Sequence, residues 1–508
     1  MTIRRAILVG VTSAMLVIAL AGIRSSASAV DSFLDSESYR SNFLQSANNA
    51  VAPSAQNVQP AAVTDAVNRL PYPHLMLYTG VNSSGWPLVG STAKTGTCAN
   101  NNSLQCEVDT DCPNSICQNT TNTRPNLSAP LNQAVVQEYA KYQQITLPPT
   151  PTIDARPDII PAIRAVNPSI RVYAYIMPET IWCPGGGYPS GYYFGDVWEM
   201  AASFDGRNTP FRSSCASYGP GFLHMQAGGL ASDAPYNLGI NINLAQRTLQ
   251  PDNSYKYEVA ENLAQIVFHK VYESNSFDGI FHDVFCPSIM YMEATAGPFD
   301  YKEAGYGTDN TNPQNRTNFS LGWEAGVQAY ANTLRSLVAA TGNSTFPITG
   351  NCGFSDSRLT SSMNGWMREN FPLQAGGTWF TNMYHSTVGY LVDEYAFQSP
   401  QENYLFAALA PAWTPYSSDN QRKARFVLAS ASLGSGFGFA QEGSVSVYGS
   451  DMYSLWYDEY GVDRSTGRAS KNGVGWLGQP TSGPYQIIAT NPNPDLIPVN
   501  TFGTSTTG

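Results

Sequence analysis

From Pro71 onward, hydrophobic and polar positions alternate between two rhythms along this chain. Short, nearly continuous apolar runs bounded by Gly, Pro, Asn or Ser read as buried strands at 75–80, 144–147, 171–177, 277–285, 346–352, 365–370, 404–409 and 437–441. Between them, at 255–273, 321–340, 379–396 and 421–433, apolar residues recur at helical spacing, as in Val259, Leu263, Ile266, Val267 and Val271. Strands alternating with amphipathic helices predict a parallel sheet joined by helical crossovers. Eight such strands favour an α/β architecture of the closed (β/α)8 TIM-barrel type over an open sheet. No Gly-rich fingerprint follows the first strand, which argues against a dinucleotide-binding fold.

Two of these runs end in carboxylates. Phe277-Asp278-Gly279-Ile280-Phe281-His282-Asp283 presents Asp283 where the strand leaves the sheet, and Gly365-Trp366-Met367-Arg368-Glu369 presents Glu369 before Phe371-Pro372. A parallel strand buried on both faces has no structural use for an acid at its tip, and barrel enzymes draw their catalytic groups from that end. The alternative for each is a capped or salt-bridged residue at a strand–loop junction. Two carboxylates on non-adjacent tips are the equipment for glycosidic bond cleavage: one protonates the leaving oxygen, the other attacks the anomeric carbon or activates water. A separation of about 5–5.5 Å would imply retention and one of about 6.5–9.5 Å inversion.

Tyr78, Asn351, Trp366, Trp413 and Glu442 are the candidate substrate-binding residues. Tyr78 and Asn351 end strands one and five; Glu442 follows strand eight and could equally be a rim carboxylate facing water, as Asn351 could merely cap its loop. His282 should face away from Asp283 by strand alternation, and Asp278 reads as a turn residue. The chain has no Gly-x-Ser-x-Gly elbow, no His-Glu-x-x-His and no P-loop, and only five His in all. No metal and no cofactor are therefore expected.

Composition bounds the partners. Of 508 residues, 42% are hydrophobic but only 13% charged, against an average near ~25%. Polarity comes instead from neutral side chains and 29 Tyr, with 9 Trp. Aromatic faces stack on sugar rings and neutral amides bond hydroxyls, so a carbohydrate partner fits. The net charge of -11 argues against nucleic acid or an anionic membrane. At the N-terminus, Arg4-Arg5, the apolar run 6–23 and Ala27-Ser28-Ala29 read as a secretory signal with cleavage before Val30; an uncleaved anchor helix is the alternative. The expected organisation is a signal peptide at 1–29, a linker at 30–70, a barrel at 71–445 and a C-terminal extension at 446–508. The protein should be secreted, extracellular, periplasmic or at the cell surface, away from the membrane once cleaved, and monomeric.

Eight cysteines in an exported chain should pair. Cys98, Cys106, Cys112 and Cys117 lie in an insertion at 98–117 too poor in apolar residues for a core, so disulfides should staple it. Its spacing matches no common zinc pattern; Asp109 and Asp111 leave a calcium ion as the sharper alternative. Cys183 is read as paired with Cys215, and Cys286 with Cys352, although other connectivities remain open. Two long loops, 79–125 and 178–254, should wall the catalytic face, with Trp86, Trp182 and Trp198 either in the cleft or packing the loops.

The strand Phe277-Asp278-Gly279-Ile280-Phe281-His282-Asp283, with Arg368-Glu369-Asn370-Phe371, Trp456-Tyr457-Asp458-Glu459-Tyr460 and Gly475-Trp476-Leu477-Gly478-Gln479-Pro480, resembles the TIM-barrel glycoside hydrolases called hypothetical glycosyl hydrolase barrels. These look related to endo-α-1,4-polygalactosaminidases and α-galactosidase-like barrels, and the resemblance covers residues 72–482. It implies Asp283 as nucleophile and Glu369 as acid/base, each ending its strand. One departure is the tail 485–508, rich in Asn, Pro, Thr and Gly where related barrels close with an antiparallel sheet. Asp458 and Glu459 lie beyond the barrel and read as structural partners. The expected function is a secreted glycosidase acting on a poly- or oligosaccharide. A non-catalytic carbohydrate-binding barrel, or a surface adhesion protein using the 98–117 insertion, is the alternative.

Overall fold

The computed structural model describes residues 76–77, 92–98, 101–106, 117–125, most of 130–181, parts of 221–250, 251–442 with short breaks, and the pairs 462–463 and 468–469. Eight parallel strands form one sheet in chain order. They are β1 (Met76–Leu77), β2 (Gln144–Leu147), β3 (Arg171–Ile176), β4 (Gly279–His282), β5 (Ile348–Asn351), β6 (Gly365–Arg368), β7 (Tyr404–Leu409) and β8 (Phe437–Glu442). The intervening helices are α1 (Gln133–Tyr139), α2 (Ile159–Val166), α3 (Glu258–Val267), α4 (Pro313–Ala340), α5 (Trp379–Met383), α6 (Tyr390–Ala396) and α7 (Ser418–Ala431). The crossover from β5 to β6 carries only a 3₁₀ turn at Ser357–Leu359. The run expected as one helix at 255–273 is α3 followed by a π-helical turn, Phe268–Tyr272.

The sheet is curled. In a flat sheet β2 and β7 would stand five spacings apart, about 24 Å. Yet the Gln144 Nε2 on β2 donates to the Tyr404 hydroxyl on β7 at 2.9 Å. Phe281 on β4 likewise meets the Tyr404 ring edge-on, with centroids 5.7 Å apart. The concave face is filled with rings: Tyr404 stacks on Phe437 at 5.4 Å and Phe406 on Phe439 at 4.9 Å. Gly279 is needed for this filling, because a Cβ there would lie 2.6 Å from the Tyr173 ring.

At the sheet's N-terminal end, the fully buried Glu402 accepts from Arg171 and the Tyr173 hydroxyl, and from the Tyr404 hydroxyl at 3.3 Å. Asp278 at the foot of β4 accepts from Arg164 at 2.8 Å and the Val172 amide at 2.8 Å. These contacts tie down the strand feet and leave the opposite ends for chemistry.

The cysteine-rich insertion has more backbone order than its composition announced. Thr92–Cys98, Asn101–Cys106 and Cys117–Pro125 form a three-stranded antiparallel sheet, with Cys98 directly opposite Cys117 in the ladder. Cys183 and Cys215 lie outside the described residues, as do Trp86, Trp182, Trp198 and the segments 1–75 and 470–508. No described helix is long and apolar enough to cross a membrane.

Candidate active site

Strand alternation decides which side chains meet at the C-terminal ends of β4, β5 and β6. On β4 the odd-numbered residues face the concave side, so Phe281 packs inward and Asp283 follows it at the rim. His282 faces the helices, as alternation required. It is fully buried, donates from Nδ1 to the Thr349 carbonyl at 3.0 Å and accepts at Nε2 from the Tyr330 hydroxyl of α4 at 2.7 Å. Burial pushes its pKa down to about 4, so it stays neutral.

The register pairs Asn351 with Met367, two residues before Glu369. Asn351 thus sits between the tips of β4 and β6. Its Nδ2 donates to Asp283 Oδ1 at 2.8 Å and to Glu369 Oε2 at 2.9 Å. Two oxygens sharing one nitrogen cannot be farther apart than the two bonds laid end to end, under about 6 Å. Asp283 Oδ1 also accepts from the Val284 amide at 2.9 Å, and Oδ2 accepts from the Tyr175 hydroxyl of β3. Three donors on two oxygens suit an ionised carboxylate, which only accepts.

Glu369 differs. Burial, and next the charge of Asp283, raise its pKa to about 7, against the opposing pull of the Asn351 hydrogen bond. The pair therefore holds one carboxylate surrounded by donors and one that carries a proton near neutrality, the division of labour an acid and a nucleophile need.

Behind Glu369, Arg368 faces the helices and is fully buried. It donates to Asp393 Oδ2 on α6 at 2.6 Å and to Ser355 Oγ at 3.0 Å, and Ser355 Oγ donates to Asp393 Oδ1 at 2.8 Å. Desolvation pushes the Asp393 carboxyl up and the Arg368 guanidinium down, while each charge pulls the other back toward ionisation. Removing one partner strands the other. Asp393→Ala is expected to cost about 3–5 kcal/mol of stability, read as a lowered midpoint in denaturant unfolding; an unchanged midpoint would show that the pair contributes nothing.

Asp283, Glu369 and Asn351 are thus brought together. Trp366 is not part of this group, and its expected role in substrate binding is corrected. It lies on the opposite face of β6 from Met367 and Glu369, is fully buried, and packs near Phe285 with centroids 6.5 Å apart. Glu442 is the last residue of β8, paired with Leu409, which puts its backbone at the same end of the sheet. Tyr78 and Trp413 lie outside the described residues. Tyr175 was missed by sequence reasoning, because it sits inside an apolar run that reads as core.

The Cys286–Cys352 disulfide, one of the expected pairings, joins the segments just beyond Asp283 and Asn351. Among the described residues no cysteine is free and no cluster of His, Cys, Asp or Glu could hold a metal ion. No family model matches the chain, and no curated protein matches it.

Proposed function

We propose that this chain is an exported, monomeric glycoside hydrolase on a closed (β/α)8 barrel, cleaving a poly- or oligosaccharide with retention of configuration. The observation that carries this reading is the single Asn351 amide bridging Asp283 and Glu369. It keeps their bonded oxygens within about 6 Å, short of the gap an inverting pair leaves for water. In this mechanism Glu369 gives its proton to the glycosidic oxygen as Asp283 attacks the anomeric carbon, forming a covalent glycosyl–enzyme. Glu369, now ionised, then takes a proton from water, which attacks the same carbon and releases Asp283. No cofactor or metal enters either step.

The test is a panel of poly- and oligosaccharides incubated with the protein, with Asp283→Asn as control and product configuration followed by proton NMR. Cleavage with retention, lost in the control, supports the reading; glycan binding without cleavage would move the assignment to a carbohydrate-binding barrel. Within this mechanism, Tyr175→Phe removes one hydrogen bond to Asp283 and leaves the ring. A bond to a charged group contributes about 1.5–3 kcal/mol, so turnover should fall roughly 10- to 150-fold. A Tyr175→Phe protein with the parent's kcat would remove Tyr175 from the site.

A further inference from the structure

The turn that carries Asp283 is strained and held from several sides. Val284 has φ +48°, a left-handed conformation that is an outlier for a β-branched residue. That turn is what aims the Val284 amide back at Asp283 Oδ1. The next two residues are tethered. The Phe285 amide donates to the Asn351 carbonyl at 3.1 Å, and the Cys286 amide donates to the buried Glu179 carboxylate beyond β3. The Cys286 carbonyl accepts from Trp323 Nε1 of α4 at 2.9 Å, and its sulfur is bonded to Cys352, the neighbour of Asn351. The β4 and β5 tips are therefore joined twice, by a backbone hydrogen bond and by a covalent bond, beside the two residues that set the spacing of the carboxylates. Strained backbone persists only where its surroundings over-determine it.

We propose that the Cys286–Cys352 disulfide is a positioning element of the candidate active site, holding Val284 in its left-handed turn and thereby fixing Asp283 against Asn351 and Glu369. A disulfide closing a separation of 66 residues would also stabilise the fold in general. A lowered melting temperature alone therefore does not distinguish the two roles. The kinetic readout rests on the hydrolase reading; the titration readout does not.

The experiment uses the full-length Cys286→Ala/Cys352→Ala double variant, which leaves no new thiol, because a reductant would act on any of the chain's eight cysteines. Below its melting temperature, kcat is expected to fall about 10- to 100-fold with KM little changed, the penalty of a misplaced reacting group. Among the described residues, Asp283 from β4 and Asn351 from β5 face Glu369. With Asp283 less firmly held, the Glu369 titration should move to lower pH, both in the alkaline limb of kcat/KM and in carboxyl carbon-13 NMR assigned with Glu369→Gln. Adding Val284→Asn, a residue at home in the left-handed region, should recover part of both losses without restoring the bond.

Should the double variant not fold, Val284→Pro with the disulfide intact abolishes the same turn, because proline's φ is held near about −65°, and is expected to show the same kcat loss and titration shift. Parental kcat and an unmoved Glu369 titration in the folded variant would overturn the proposal. If the parent protein cleaves no glycan yet the titration still shifts, the hydrolase reading fails and the positioning role stands. If it cleaves and nothing shifts, the reverse holds.

Discussion

Asp283→Ala is expected to lower turnover at least about 10⁴-fold, as loss of a covalent nucleophile does, and sodium azide to return much of it. The substitution leaves a methyl group where a carboxylate stood. The Tyr175 hydroxyl and the Asn351 amide, which donate to Asp283 in the parent, then face an open space suited to a small anion. Azide bound there attacks the anomeric carbon as the bond to the leaving oxygen breaks, and Glu369 supplies that oxygen with its proton. One displacement replaces two, so the product is a glycosyl azide of configuration opposite to the substrate. The measurement is kcat with and without azide, with the product's anomeric coupling read by NMR. An azide product of unchanged configuration would rule out Asp283 as nucleophile, and a fully active Asp283→Ala protein would end the glycosidase reading.

The sheet was legible because buried parallel strands are nearly continuous apolar runs, and β2 and β7 match their expected bounds to the residue. Strand ends were less so. The run 277–285 contains β4 only at Gly279–His282, because Val284 turns left-handed immediately after Asp283, and a β-branched residue carries no sequence signal for such a turn. The insertion strands were missed because Asn, Thr and Ser show no apolar alternation; their order is in the backbone ladder. Between β5 and β6 no helical spacing was found in the sequence, and the crossover there carries only a 3₁₀ turn.

In the site, the two carboxylates could be read from their places at strand tips, but Asn351's bridging role could not, because it follows from register across three strands. Tyr175 left one clue: Tyr173 and Tyr175 are two residues apart and therefore share the concave face, each with a polar tip to satisfy. Trp366 was decidable in advance. The parity that turns His282 away from Asp283 also turns Trp366 away from Glu369.

Glu369→Gln is expected to produce the second large effect, and its size should depend on the leaving group and on pH. General acid assistance is worth roughly 10²–10⁴-fold, so a natural glycoside with a poor leaving group should lose about that much in kcat/KM. An activated aryl glycoside needs little protonation and should lose far less in that constant. In the parent, kcat/KM requires Glu369 protonated, and its pKa is raised to about 7 by burial and the neighbouring Asp283 charge. Activity should therefore fall as pH rises through about 7, and in Glu369→Gln that alkaline limb should vanish, because the amide cannot ionise. Stability follows the same sign. A carboxyl whose folded pKa exceeds its unfolded value of 4.5 contributes fully below that value, and its contribution is lost as pH rises toward about 7. Above pH 7 the Gln variant should thus unfold at higher denaturant than the parent, while below pH 4.5 the difference should shrink. The checks are pH–rate profiles on both substrate types and unfolding midpoints at the two ends of the pH range. An alkaline limb that survives in Glu369→Gln would assign the acid to another group at the rim, and Glu442 at the end of β8 would be the first to test.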